Sequence, residues 1–406
     1  MCIAWLVGYR HRPFPWKTVT IATALQLALA GLLLRSGIRS MLFTAIGEIT
    51  RILQETALEG NRSLLFSGLN HPDFIAAYGP IIALDIAAIL IFVSSLSRIL
   101  YHYRILPWVI TRLSRPMQAM LGISAAESVA TTANIFLGMT EAPLLVRPYI
   151  ARMTDSELFC LMTTGLATIA GTVMVLYAAM LQSAYPEIAG HLFTASLISV
   201  PAAIAVSKTM LGETIPRVSN NQSISITADD TANGIDAATR GAAEGIHLVL
   251  NIIAMLIAFI GLVALINVGI GIVDQTVNGV NAGSWSLQRL AGLLFRPLIW
   301  LMGIGWEETR LLGELMGTKT IINEFVAYHM LSGMMQSATP LPERSFLIMT
   351  YAMCGFANFG SVAIVIGGIG GIAPERRQDL ARLGLRALLG GTIATMLTGA
   401  VAGFYI

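Results

Sequence analysis

Apolar runs long enough to cross a bilayer recur along the whole chain, and this limits its fold more than any other feature. A spanning helix needs roughly 20 mostly apolar residues. Residues 18–34, 78–96, 158–181, 191–206, 246–272, 345–372 and 385–406 form such runs. Of 406 residues, 55% are hydrophobic and only 12% charged. A soluble globular chain carries about 25% charged residues. With a mean hydropathy of +0.72, the chain has no composition for a soluble surface. The expected fold is all-α and integral to the membrane, a multi-span helical bundle in one membrane domain. The net charge of +2 gives no reason to expect nucleic acid as a partner. Common catalytic signatures (HExxH, GxSxG, a phosphate loop) are missing, so an enzyme is not expected. Cys2, Cys160 and Cys354 are scattered, without disulfide or zinc spacing.

Basic residues cluster at 10–17, 98–115 and 376–386. Counting spans between them puts all three on one side, which the positive-inside tendency makes the cytoplasm. The opening residues 1–8 are too short to span and read as the tail of a first span. Residues 212–244, with Asn220, Asn221, Gln222, Asp229 and Asp230, read as a flexible polar linker between two halves.

Two apolar pieces are too interrupted for simple spans. Residues 130–150 contain Asn134, Gly138, Glu141, Pro143, Arg147 and Pro148; residues 311–335 contain Gly313, Glu314, Gly317, Lys319, Asn323 and Glu324. Charges and helix breakers at membrane depth survive only where they face protein or a water-filled cavity. Both pieces therefore read as re-entrant helical hairpins. The halves also echo each other. Leu161-Met162-Thr163 precedes a Gly- and Thr-interrupted apolar stretch from Gly165, and Ile348-Met349-Thr350 precedes a similar one from Gly355. Paired, Gly-interrupted segments point to inverted-repeat halves with a binding site at their interface. The expected organisation is 1–120, N-terminal spans and scaffold; 121–211, a first repeat with a broken span at about 157–182; 212–245, the linker; 246–310, a scaffold span and interfacial segment; and 311–406, the second hairpin, a broken span at about 345–372 and the last span.

Glu141 and Glu324 carry the most chemistry. An intramembrane carboxylate costs at least a few kcal/mol unless partnered, so it marks a functional candidate. Each has a structural alternative in its own hairpin, Arg147 for Glu141 and Lys319 for Glu324. A carboxylate also accepts short, strong bonds from the hydroxyls and N–H groups of a polar solute. Asn134, Asn358 and Ser361 lie in broken stretches, where they can hold unwound backbone or a solute. Thr168 and Thr172 can bond the carbonyl four residues back. The glycines from Gly367 to Gly371 lack the context of a phosphate loop and suit close helix packing.

The stretch Gly317-Thr318-Lys319-Thr320-Ile321-Ile322-Asn323-Glu324-Phe325-Val326-Ala327-Tyr328 resembles the signature of the concentrative nucleoside transporters. Asn134 to Leu144 is similar to the tip of their first hairpin, and Cys354-Gly355-Phe356-Ala357-Asn358 to their seventh span. The resemblance runs from about Thr18 to the C-terminus. It implies a homotrimer in the bacterial inner membrane, each protomer having a scaffold, two opposed hairpins and two broken helices. By position, Met139, Thr140, Glu141 and Val173 would line the base side of a nucleoside pocket. Glu324, Asn358 and Ser361 would hold the ribose, with Phe356 beside the solute. Sodium would sit at Asn134, Leu137, Thr168 and Ile169, largely on main-chain carbonyls, as suits a hard cation at unwound helix ends. The family usually has Gln where this chain has Met139. The first span is cut short, and Asp85 has no family role to take.

The function expected is a secondary active transporter importing nucleosides with sodium by alternating access. A proton-coupled nucleoside symporter and a transporter of another polar solute are the alternatives. An intramembrane enzyme would need a nucleophile–base pair or metal triad, and a channel would run independently of an ion gradient.

Overall fold

The computed structural model describes residues 1–8, 14–60, 73–74, 81–213, 226, 230–279 and 285–406. Arg10, His11, Arg12, Tyr78, Asn220, Asn221, Gln222 and Asp229 lie outside the described residues. Among the described residues, six helical stretches are long and apolar enough to cross a membrane: Trp16–Arg35, Ala83–His102, Asp155–Leu181, Ile188–Met210, Gly234–Val277 and Pro374–Tyr405.

The chain opens with α1 (Cys2–Val7), α2 (Trp16–Arg35), α3 (Ile38–Gly60), α4 (Ile82–His102) and α5 (Ile105–Leu121). Helix α2 matches the expected run at 18–34. Helices α3 and α5 answer to no expected span, because both are amphipathic and carry charge. Arg51 of α3 bridges Glu48 and Glu55 at i,i+3 and i,i+4 spacing. Asp85 falls in the first turn of α4, where the unpaired N–H groups favour a carboxylate.

Next come α6 (Ala125–Ala133), a 3₁₀ turn (Ala142–Val146), α7 (Arg147–Ile150), α8 (Asp155–Ala167), α9 (Gly171–Leu181) and α10 (Ile188–Met210). Helix α6 starts at a reciprocal cap, with the Ser124 hydroxyl accepting from Glu127 N and the Glu127 carboxylate from Ser124 N. Thr154 and Glu157 repeat the device at α8. Glu127 is fully buried and lies 2.6 Å from Lys208 Nζ of α10, which also reaches Glu213 at 2.9 Å and Ser156 at 3.0 Å. This buried cation fastens the foot of α6 to α8 and α10.

The second half has α11 (Gly234–Asn278), α12 (Leu287–Leu301), α13 (Thr309–Ile321), α14 (Glu324–Met335), α15 (Glu343–Met353), α16 (Phe359–Ile372) and α17 (Arg377–Tyr405). The expected linker at 212–245 is corrected here. Asn233 caps α11 through Ile235 N and Asp236 N, so the helix runs from Gly234 and residues 234–245 belong to it. The polar residues there form its first turns. Helix α11 packs along α4 with its backbone close in. A Cβ on Gly241 would stand 2.6 Å from the Ser94 carbonyl, and one on Gly245 2.6 Å from Ile91 Cα. Two glycines four apart permit that approach. Farther along, α11 exposes Ile257, Leu265 and Val268, the surface expected against lipid or a neighbouring chain.

The same succession occurs twice: helix, break and short return, then a helix broken near its middle, then a long helix. The breaks fall at 134–141 and 168–170 in the first half and at 322–323 and 354–358 in the second.

Candidate binding site

All four breaks open onto one cavity of about 410 Å³, inside the range of about 300–1,000 Å³ usual for small-molecule sites. The other wall is α11. A second space of about 320 Å³ adjoins it, sharing Ser94, Glu141, Thr172 and Glu244, and is ringed by charge from Arg98, Arg147 and Asp230.

A helix start inside a membrane protein leaves N–H groups that must find acceptors. Two asparagines provide them. Asn323 Oδ1 accepts from Val326 N at 3.0 Å and Asn358 Oδ1 from Ser361 N at 2.7 Å. Each cap sets a functional side chain. Glu324 is the first residue of α14, where the helix dipole favours its charge. Its Oε1 accepts from the Tyr177 hydroxyl and its Oε2 from Asn358 Nδ2, both at 2.8 Å. Asn358 thus holds unwound backbone with one end and the carboxylate with the other. About two of the four lone-pair sites of Glu324 remain for a solute. No ion pair joins Glu324 to Lys319, or Glu141 to Arg147, among the described residues; Glu141 instead accepts from Gly138 N at 3.3 Å.

Met139, Thr140, Glu141, Val173, Glu324, Phe356, Asn358 and Ser361 all line this one cavity. Gly165 lets the first break close on α8, since a Cβ there would lie 3.0 Å from Met139 Cβ. Gly368 does the same for α16, where a Cβ would come within 2.6 Å of the Thr140 methyl. Within the glycine run, close packing therefore holds at Gly368.

Asn134, Leu137, Thr168 and Ile169 are buried where the first break meets the break between α8 and α9. Gly171 N donates to the Phe136 carbonyl at 2.9 Å and fastens the two breaks together. Asn134 Nδ2 donates to the Ala130 carbonyl at 3.1 Å, while its buried Oδ1 has no partner. No N–H among the described residues donates to the carbonyl of Leu137 or Ile169. The Thr168 hydroxyl bonds the Thr164 carbonyl at 2.9 Å, and its carbonyl accepts from Phe356 N at 3.3 Å. Unspent oxygens of this kind fit a hard cation. The Thr168–Phe356 bond links this corner directly to the solute side.

Tyr177 and the α11 face escaped the sequence reading, and Asn323 entered it only as an interruption of the second hairpin and part of the family signature. Tyr177 sits in an apolar run with no local motif, and only the fold brings it to Glu324. The Asn323 side chain was legible as a helix cap directly before Glu324.

A solute cavity at the meeting of four helix breaks, inside a multi-span helical protein, defines a membrane transporter. Family models described as "Na+ dependent nucleoside transporter C-terminus", "Nucleoside recognition" and "Na+ dependent nucleoside transporter N-terminus" match residues 191–403, 83–184 and 1–69. Nucleoside permease NupC of Helicobacter pylori is 35% identical, with 100% of this chain and 95% of that protein covered. Sodium/nucleoside cotransporter 1 of Sus scrofa is 34% identical over 97% of this chain, which spans 60% of that relative's length. Among solved structures, CNTnw in an inward-facing substrate-bound state superposes with a TM-score of 0.89 at 36% identity, covering 100% of this chain and 96% of that one. An outward-facing CNTnw variant gives 0.91 at 36% identity, covering 100% and 94%. The chain belongs to the concentrative nucleoside transporter family, whose members are multi-pass membrane transporters and not enzymes.

Proposed function

We propose that this protein imports nucleosides together with sodium by alternating access. The observation that carries the reading is Glu324, capped into place by Asn323, held by Tyr177 and Asn358, and turned toward the cavity with acceptor sites to spare. Adjacent sugar hydroxyls are donors that match a charged acceptor. Ser361 adds a hydroxyl on the same side, and Phe356 an aromatic face beside the solute. Met139, Thr140, Glu141 and Val173 form the base side.

Sodium is the coupling ion favoured, because the Asn134 Oδ1 and the carbonyls of Leu137 and Ile169 are oxygens without protons to donate. Binding there would draw the first break against α8–α9 and complete the base side of the cavity. A proton is the competing ion, with Glu141 or Glu324 as its carrier. The two halves read as inverted repeats whose hairpins move as one body against a scaffold containing α4 and α11. The exposed apolar side of α11 suits burial in a homotrimer in the bacterial inner membrane. Counterflow in proteoliposomes tests the substrate class. Preloaded unlabelled uridine should drive uptake of labelled uridine, whereas free uracil and free ribose should not. Equal exchange by uracil would contradict a site built around the ribose.

A further inference from the structure

In residues 246–272 three side chains carry hydrogen-bonding groups: His247, Asn251 and Asn267. A polar side chain in a membrane span is costly, and is kept where it has a partner or a task. Asn267 has its partners. It donates to Gln288 Oε1 at 3.1 Å and accepts from Leu287 N at 2.8 Å, tying α11 to the start of α12. The side chains of His247 and Asn251 make no hydrogen bond among the described residues, and neither residue is buried. They stand four residues apart on one helical face. Both line the solute cavity, flanked by Leu248, Ile252 and Met255, on the wall opposite the helix breaks.

The breaks supply acceptors and a cap for the ribose, but their base side is poor in groups that both donate and accept. Met139 can only pack, Val173 is apolar, an ionised Glu141 only accepts, and the Thr140 hydroxyl alone both donates and accepts. An asparagine offers two donors and an acceptor, and a neutral imidazole one of each. That repertoire distinguishes an exocyclic amine from a carbonyl on a base edge. Resting on the nucleoside reading above, we infer that His247 and Asn251 of α11 determine base selectivity. The base is then recognised from the scaffold helix and the ribose from the breaks, so selectivity depends on where the solute lies along α11.

The test is equilibrium binding to the purified full-length protein of uridine, cytidine, adenosine and inosine, with the 3′-deoxy form of each. Asn251→Leu keeps volume and removes the amide; His247→Phe keeps a ring and removes both nitrogens. Asn251→Ser and His247→Gln serve where either fails to fold. A neutral hydrogen bond is equivalent to roughly a two- to tenfold change in affinity. The cytidine-to-uridine or adenosine-to-inosine ratio should therefore shift about fivefold in at least one variant, with each ribo-to-deoxy ratio kept within about twofold. Unchanged base ratios in both variants, or an equal loss for all four nucleosides, overturn the inference while leaving nucleoside transport intact. A wild type that binds none of the four overturns the nucleoside reading itself, and this inference with it.

Discussion

Replacing Glu324 with Gln removes one charge and little else. The carboxylate accepts from Tyr177 and from Asn358, each at 2.8 Å. In the variant, one side-chain oxygen becomes an NH₂ that must face one of those donors. Asn358 cannot turn to accept it without giving up the 2.7 Å bond that caps α16 at Ser361 N. The Tyr177 hydroxyl can rotate its proton away and accept, so the amide nitrogen will face Tyr177 and the fold will survive. The solute feels the difference. A hydrogen bond to a charged group is worth about 1.5–3 kcal/mol and a neutral one about 0.5–1.5 kcal/mol. With one or two sugar hydroxyls on Glu324, the loss is about 1.5–3 kcal/mol, or roughly tenfold to hundredfold in affinity. The assay is titration calorimetry of uridine and 3′-deoxyuridine on wild type and Glu324→Gln, with thermal melting as the folding control. The variant should lose more affinity for uridine than for its deoxy form. Wild-type affinity in a folded variant, or the same loss for both ligands, would refute the ribose role.

Met139→Gln restores up to two directional bonds to a base and should change the ranking of uridine, cytidine, adenosine and inosine uptake by about tenfold to hundredfold at most; an identical ranking would mean that Met139 only fills space. Asn134→Ala removes the unpartnered oxygen at the cation corner and should raise the half-saturating sodium concentration about fivefold or more, with little change in uridine affinity at saturating sodium. An unaltered sodium curve would exclude Asn134 as a ligand. Gly368→Ala places a methyl 2.6 Å from that of Thr140 and should cost about 1–3 kcal/mol, read as a lower melting temperature together with weaker nucleoside binding. Wild-type values of both would show that the contact is slack. Lys208→Met leaves Glu127 buried without its cation and should destabilise the protein by about 3–5 kcal/mol in thermal melts; an unchanged melting curve would show the pair to be dispensable.

The spans and breaks were legible because bilayer physics writes them strongly. Length, hydropathy and misplaced Gly, Asn and Glu marked both interrupted regions, and the interruptions at 168–170 and 354–358 fall inside the stretches expected to be broken. The eight expected solute residues come together because each sits at a break or in the first turn of the helix that follows one. What failed was polarity read without context. Residues 234–245 looked like linker, yet a buried face on α4 with two close-packing glycines makes them helix. The wall that α11 adds to the cavity lay mostly inside the expected span at 246–272, but nothing in that apolar run marks which of its sides faces a solute. Amphipathic α3 and α5 have the charge of loops and the periodicity of helices, so a search for apolar runs passes over them. Tyr177 needed the tertiary fold, since nothing at 177 in the sequence points 147 residues ahead to Glu324.

Coupling is the centre of the account, and one measurement addresses it directly. Proteoliposomes containing the purified protein are diluted into labelled uridine with an inward sodium gradient, with sodium equal on both sides, or with an inward proton gradient and no sodium. The account predicts that uridine accumulates above its external concentration only under the sodium gradient, and that the accumulation collapses when a sodium ionophore is added. Accumulation under the proton gradient alone, or the same uptake under all three conditions, would contradict it.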